Sequence, residues 1–323
     1  MNILIIRLSS LGDIVHTYPM INDIKSNFPN AEIDWLVDNS FQDLIKINPH
    51  INNIITIPLR LWIKNKFSLI PNIICWKKAI RTKFATKHYD YIIDSQGLLK
   101  SAILAKNFNG TVSGFGKNSI KEKIATLFYT NKIETGKEHL AIQKNRLLAA
   151  KILNYTIDQT QVNFGISNSI PESNNKTVIF FHATSKDSKK YSIANWVKLA
   201  QYLITKHNCQ IIIPFGSDQE QKESNEIKSL LSIYPNMVLV PEQKMNYPDL
   251  TKLIQSAFFV FGVDTGLIHL SNALNKKLIA IYTDTDPKKT GVFETTKAKN
   301  IGNRNEIPAV TDVINLFEII LKA

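Results

Sequence analysis

The sequence predicts an α/β protein built from two doubly wound domains, each a parallel sheet with helices on both faces. Three observations predict it. Apolar runs of strand length alternate with longer segments whose apolar spacing is nearer three or four than two, the pattern of successive βαβ units. The alternation occurs in two series, separated by a polar stretch, Ser167–Lys176, that contains Pro171 and has no apolar period. The chain is 323 residues long, past the ~250–300 at which one hydrophobic core stops growing.

In the first series the expected strands are Ile3–Leu8, Ile33–Val37, Ile54–Pro58, Tyr89–Asp94 and Thr111–Phe115. Helical spacing falls at Ile14–Asn27, Phe41–Ile47, a basic stretch from Arg60, Leu98–Asn107, Ile120–Tyr129 and His139–Leu153. In the second, strands are expected at Thr177–His182, Gln210–Phe215, Met237–Val240, Phe258–Val263 and Leu278–Thr283. Helices are expected near Ile193–Lys206, Glu220–Ser232, Tyr247–Ser256 and Gly266–Leu274. The domains expected are therefore 1–168 and 175–307. A last helix within 308–323 is free to stay with the second or to pack back onto the first.

Net charge is +12, from 39 bases and 27 acids, and it is unevenly placed. Residues 1–165 carry +9 and the remainder +3. Between Arg60 and Lys87 stand eight bases and no acid, interleaved with Trp62, Phe67, Trp76 and Phe84. A charge run is most often a solvated face, but a field of one sign favours an anionic partner. Nucleic acid, phospholipid headgroups and a phosphorylated substrate all satisfy that condition. No RNP1-type or C2H2 pattern occurs, which sets nucleic acid last. Cys75 and Cys209 are too few for a disulfide framework. No apolar run approaches the ~18 residues of a membrane span, so a soluble cytoplasmic protein is expected.

Ligands of open α/β sheets bind beyond the carboxyl ends of the strands, so the loops that follow strands and open helices are the candidates. The first is Ser9-Ser10-Leu11-Gly12-Asp13, whose small residues let a ligand approach the backbone; Asp13 is equally well read as a helix cap. The second runs from His182 to Lys190 and sets Thr184, Ser185 and Ser188 beside Lys186, Lys189 and Lys190, donors suited to phosphate oxygens. The third, Val263-Asp264-Thr265-Gly266 with His269 a turn later, opens a helix whose free N–H groups and dipole favour an anion. Two weaker candidates are Asp94–Ser101, with Gln96 and Lys100, and Phe215–Glu220, whose acid could accept from a ribose hydroxyl. Dinucleotide G-x-G-x-x-G, P-loop, nucleophile-elbow and zinc spacings are all absent. That counts against a dehydrogenase, acyl-transfer chemistry and metal dependence.

Taken together, IIRLSSLGDIVHTYP, IDWLVD, YDYIIDSQGLLKSA, FFHATSKDSKKYSIANW, IIIPFGS and GVDTGLIHLSNALNKKLIAIYTDTDP resemble the lipopolysaccharide heptosyltransferases, glycosyltransferase family 9. The first loop and the DSQGLLKSA segment fit the first heptosyltransferase of the inner core better than the second. The resemblance implies a GT-B fold, two Rossmann-like domains facing each other across a cleft. It implies an inverting, metal-independent transfer of L-glycero-D-manno-heptose from ADP-heptose to a Kdo sugar of Kdo-lipid A. No cofactor is implied beyond that co-substrate, and no nucleic-acid partner; the enzyme is expected as a monomer, peripheral at the cytoplasmic face of the inner membrane. Asp13 corresponds to the general base. Thr184, Ser185 and Lys189 fall on the donor diphosphate, with Lys189 stabilising departing ADP. Asp264, Thr265, Gly266 and His269 fall in the donor loop, Glu220 at the ribose and Met245 at the adenine. Ser9, Ser10, Gly12, Arg60, Lys64, Gln96 and Lys100 fall on the acceptor side. Three departures stand out. Lys190-Tyr191 replaces a His-Trp pair, Tyr282–Pro287 replaces a Tyr-Gly-Pro-Thr-Asp-Pro turn, and Arg60–Lys64 carries fewer charges than its counterpart, which points to a simpler or differently phosphorylated lipid A.

Overall fold

The computed structural model describes residues 1–64, 69–136, 139–167, 170–171, 176–184 and 186–322. Most of the expected linker, residues 168–169 and 172–175, lies outside them. The chain divides into two compact units, Met1–Ile166 and Ser167–Ala323.

The first unit holds β1 (Asn2–Ile6), β2 (Glu32–Asp38), β3 (Asn53–Ile57), β4 (His88–Asp94), β5 (Asn109–Phe115) and β6 (Asn131–Ile133), all parallel, in the order β3-β2-β1-β4-β5-β6. The second holds β7 (Thr177–Phe181), β8 (Gln210–Ile212), β9 (Val238–Leu239), β10 (Phe259–Val263), β11 (Leu278–Tyr282) and β12 (Ala298–Gly302), ordered β12-β11-β10-β7-β8-β9. Counted within each unit, both orders are 3-2-1-4-5-6, the doubly wound arrangement. Strands covered on both faces bury every side chain, which is why β7, β10 and β11 read as unbroken apolar runs.

The order reverses between β1 and β4 and again between β7 and β10. Ile6 pairs with Asp94 in the first sheet and Phe181 with Gly262 in the second. The loops leaving these strands therefore emerge side by side, at the point where such sheets open a crevice.

Each sheet has one more strand than the sequence pattern suggests. β6 and β12 are edge strands with Asn, Lys and Gly among their few residues, so they carry no apolar run to read. The single helix expected over Ile14–Asn27 is two, Leu11–Val15 and Tyr18–Asn27. Pro19 begins the second, because proline fits a first helical turn and not an interior. The segment expected as a helix over Ile120–Tyr129 winds only as a 3-10 turn, Lys123–Phe128. The last helix, Val310–Lys322, buries Val313, Phe317 and Ile320 in the second unit's core, where Phe317 lies 4.8 Å from Phe259 in an edge-on contact. Of the two courses open to this helix, it takes the one that stays with the second sheet.

Candidate functional site

At the first reversal, Arg7–Ser10 leave β1 and the helix Leu11–Val15 begins. Ser10 occupies the cap position and Asp13 the first turn, so Asp13 is not itself the cap. Its Oδ2 accepts from the Ser10 backbone N–H and from the Ser10 hydroxyl, both at 3.0 Å. Burial alone pushes this carboxyl up. The Arg7 guanidinium, the two Ser10 donors and His16 outweigh burial and hold Asp13 below the usual carboxylate range.

Two neighbours shape this loop. Arg7 is 7% exposed, with Nε 3.4 Å from Thr17 Oγ1 and Nη2 3.4 Å from Asn145 Oδ1. Gln96, in the loop after β4, accepts the N–H groups of Leu8 at 2.8 Å and Ser9 at 3.2 Å through its side-chain oxygen. Gln96 is held in turn by Asp94, a fully buried carboxyl that accepts from the amides of Gln96 and Gly97, from Ser101 and from Tyr129. Burial outweighs those four bonds and raises the Asp94 pKa. Gly97 turns at φ +66, where a Cβ would meet Ile120 at 3.1 Å. A cavity of about 350 Å³ opens beside this cluster, lined among others by Arg7, Ser95, Gln96, Phe115, Lys121 and Lys144.

Of the remaining acceptor-side candidates, Arg60 is tied in through its backbone N–H, which donates to Asp38 at the end of β2, and its guanidinium lies over the Phe41 ring at 4.5 Å. Lys64 and Lys100 are exposed on the helices Leu59–Lys64 and Leu99–Ala105, with no bond to the Asp13 cluster among the described residues. Gly12 lies in the first turn of the Asp13 helix.

At the second reversal, Asp264 gathers the loops. Its Oδ2 accepts from Lys189 Nζ and from Thr285 Oγ1, each at 2.7 Å; its backbone carbonyl accepts from Thr184 Oγ1 at 3.0 Å; its Oδ1 is 4.0 Å from His269 Nε2. Thr265 is the cap residue of the helix Gly266–Ala273 and makes no side-chain cap bond; the Ile268 N–H donates to the Thr265 carbonyl at 3.2 Å, and the amides before it have no intrahelical acceptor. Four of the residues expected to touch the donor thus meet within one network. Ser185 lies outside the described residues.

The adjacent lysine takes a different course. Lys190 Nζ binds Glu223 at 2.7 Å and Asp187 at 2.9 Å, and those bonds raise its pKa. Tyr191 points into the core, its hydroxyl donating to the Pro308 carbonyl at 3.0 Å and its ring edge-on to Trp196. Burial lowers the pKa of His182, which sits 4.0 Å from Glu223. Glu220 follows β8 and accepts the Gly216 N–H at 2.6 Å; Met245 follows β9, half-buried, just before the cap of the helix Tyr247–Ser256. These two follow β8 and β9, the strands on the far side of β7 from β10, rather than the reversal itself.

The turn after β11 adds contacts that the sequence pattern did not assign. Thr283 Oγ1 donates to the Ser188 carbonyl at 2.9 Å, and the Ser188 hydroxyl donates to Asp284 at 2.6 Å. With Thr285 on Asp264, this turn joins the loop after β7 to the loop after β10. Ser188 was already named with its loop, but Arg7, Thr283, Asp284 and Thr285 were given no role by sequence reasoning. Their one signal was position, at the carboxyl end of a strand. Among the described residues no group of three His, Cys, Asp or Glu is placed to hold a metal.

Residues 78–314 match the family model described as glycosyltransferase family 9 (heptosyltransferase). The chain belongs to this family. It is accordingly a glycosyltransferase, and its two six-stranded parallel α/β units are those of the GT-B fold. It is 31% identical over 316 residues to lipopolysaccharide heptosyltransferase 1 of Escherichia coli O18:K1:H7, covering 96% of this chain and 94% of that one. Among solved structures it is similar to E. coli heptosyltransferase WaaC with ADP, with a TM-score of 0.88 and 30% identity over 99% of this chain and 100% of that one. It is also similar to WaaC with ADP-2-deoxy-2-fluoro heptose, with a TM-score of 0.85 and 28% identity over 98% and 99%. Family membership removes the nucleic-acid-binding and dehydrogenase readings.

Proposed function

We propose that this family 9 enzyme transfers L-glycero-D-manno-heptose from ADP-heptose to a Kdo sugar of Kdo-lipid A, inverting the donor carbon without a metal. The observation that carries the reading is the Lys189–Asp264 pair at the N-terminus of Gly266–Ala273, with Thr184 and Thr285 on the same carboxylate residue. An ammonium, a hydroxyl and free helix amides converge there, which suits a diphosphate leaving group. The similarity to WaaC with ADP and with a fluorinated ADP-heptose supports the same donor.

The first domain holds the acceptor. Ionised Asp13 takes the proton of the attacking hydroxyl as the new C–O bond forms. The bond from the anomeric carbon to the β-phosphate oxygen breaks, and its electron pair leaves with ADP. Heptose hydroxyls donating to Asp264 take the place of Lys189 there, and the released ammonium meets the charge growing on the phosphate. Glu220 receives the ribose hydroxyls, and Met245 lies against the adenine. The excess positive charge of the first half, +9 over residues 1–165, suits an acceptor bearing phosphates and Kdo carboxylates. It also suits peripheral attachment at the cytoplasmic face of the inner membrane. No described helix is long and apolar enough to cross a membrane.

The test is a mass-spectrometric assay of Kdo-lipid A with ADP-heptose, ADP-glucose and ADP-mannose, with and without EDTA. The expected product is one heptose heavier, forms only from the first donor, and is unaffected by chelation. Transfer from another donor, or turnover that stops in EDTA, would overturn the corresponding part of the reading.

A further inference from the structure

The 3-10 turn Asp187–Lys189 ends in two consecutive lysines that reach in opposite directions. Lys189 bonds Asp264, in the loop after β10. Lys190 bonds Glu223, on the helix Asp218–Leu230 that follows β8. In the sheet β7 lies between β10 and β8, so the turn that follows β7 is tied to the loops of both neighbouring strands at once. Lys190 also stands where the chain departs from the heptosyltransferase pattern, and no step of the proposed transfer uses it.

Of the two carboxylates on Lys190, Glu223 is the one that holds it. Asp187 is 95% exposed at 2.9 Å, a setting in which an ion pair contributes little. Glu223 is 15% exposed at 2.7 Å, and the same oxygen accepts from Gln219 at 3.2 Å. Burial alone pushes the Glu223 carboxyl up; Lys190, Gln219 and His182 outweigh burial and hold it below its usual range. Burial also lowers the pKa of His182, so at neutral pH that ring is uncharged and leaves the carboxylate to Lys190. Glu223 and Glu220 stand three residues apart on the helix and are neighbours on one face. A nucleotide with its ribose at Glu220 and its second phosphate at Lys189 therefore reaches from this helix to the turn, the two elements that the Lys190–Glu223 bond joins.

We infer that Lys190 is a positioning residue that sets the length of nucleotide the donor site prefers: by clamping the turn to Glu223 it holds Lys189 where the second phosphate of a nucleoside diphosphate arrives, beyond the reach of a monophosphate. The inference rests on the ADP-heptose reading above and deepens it. A loop fixed in its bound position spends none of the ligand's binding energy on ordering. The test is calorimetric titration of the full-length protein with ADP and with AMP. Wild type binds ADP about tenfold or more tightly than AMP, the worth of a charged hydrogen bond to the second phosphate. Lys190→Ala reduces that preference to about threefold or less, with AMP affinity within about twofold of wild type. Glu223→Gln does the same, the double variant is no worse than either single one, and Lys190→Arg restores the preference because it keeps the clamp. Unchanged AMP affinity reports an intact fold and an intact nucleoside end. Equal weakening of ADP and AMP in Lys190→Ala would mean a merely structural bond and overturns the inference. Tighter ADP binding in Glu223→Gln overturns it as well, since a freed Lys190 would then be a direct phosphate ligand. Wild type that binds neither nucleotide overturns the proposed donor and the inference with it, whereas an ADP preference that survives Lys190→Ala overturns only the positioning role.

Discussion

Replacing Lys189 by alanine separates its bond to Asp264 from the role proposed for it on the phosphate. Its ammonium lies 2.7 Å from Asp264, with 19% of the Lys189 side chain and 10% of the Asp264 side chain exposed. A hydrogen bond to a charged group contributes about 1.5–3 kcal/mol, and partial exposure of the ammonium reduces this to about 1–2 kcal/mol. For a domain of this size the melting temperature then falls by about 2–8 °C. Catalysis is expected to suffer more. Loss of one preorganised donor to a developing oxyanion costs roughly 10²–10³ in kcat. Heptose transfer is followed by mass spectrometry at saturating donor, well below the melting transition, and unfolding by calorimetry. Asp264→Asn and the double variant complete the cycle. If Lys189 acts on the phosphate, the Lys189→Ala defect is larger than that of Asp264→Asn and lies mainly in kcat. Turnover within about threefold of wild type in folded Lys189→Ala would refute the reasoning. So would a double variant no slower than Asp264→Asn alone, because Lys189 would then matter only through Asp264.

Further outcomes are expected. Asp13→Asn folds normally and loses most turnover. In the wild type the depressed Asp13 pKa is expected to place the acid limb of kcat/KM below the usual carboxylate range. Arg7→Met removes the opposing charge and moves that limb to higher pH; a pH–rate profile of unchanged shape refutes the electrostatic account. Ser188→Ala or Asp284→Ala frees the loop after β7 from the turn after β11. The KM for the sugar nucleotide is expected to rise about fivefold, equivalent to one hydrogen bond of ~1 kcal/mol, with kcat nearly unchanged in steady-state assays. Gly97→Ala places a Cβ 3.1 Å from Ile120 at φ +66. It is expected to cost about 1–2 kcal/mol, read as a lower denaturation midpoint.

What was legible in the sequence follows from burial. β7, β10 and β11 have no exposed side chain, so their composition reveals them; β6 and β12 are edge strands with mixed composition, and nothing in them distinguishes strand from loop. The same division runs through the site. Asp13, Thr184, Lys189, Asp264 and Thr265 stand where a strand run ends and a helical run begins, and that junction can be read directly. Thr283, Asp284 and Ser188 meet across a separation of 95 and 96 residues. Ser188 reads as one hydroxyl among several in its loop and Asp284 as part of an altered turn, and only the adjacency of β7, β10 and β11 brings them together. Gln96 shows the converse. Its position after β4 marks it as a candidate, but its side-chain oxygen is engaged by the amides of Leu8 and Ser9, so its contribution begins with the shape of the first loop.

The two sheets share a strand order, and each places a carboxylate beside a cation at its reversal, yet the choice of cation differs in a way that suits two different tasks. Next to Asp13 it is Arg7, sunk in the domain with 7% exposure between Thr17 and Asn145. A guanidinium does not lose its proton, and this one is tethered to Thr17 and Asn145, so its field keeps Asp13, the proposed base, ionised before an acceptor arrives. Next to Asp264 the cation is Lys189, on a loop between β7 and the next helix. An ammonium on a flexible four-carbon stem is a point charge that can exchange acceptors, and the task assigned here requires exchange, from carboxylate in the empty site to phosphate in the loaded one. Swapping the types separates the cases. Arg7→Lys keeps the charge and should leave the Asp13 limb of the pH profile near its wild-type position. Lys189→Arg keeps the charge as well, but its planar fork holds Asp264 through two donors and has to give up both to reach the phosphate. The expected result is donor binding that is weakened more than the loss of one hydrogen bond explains, roughly tenfold or more in KM. Equal tolerance at both positions would mean that charge alone, and not the freedom to move it, is what the donor site requires.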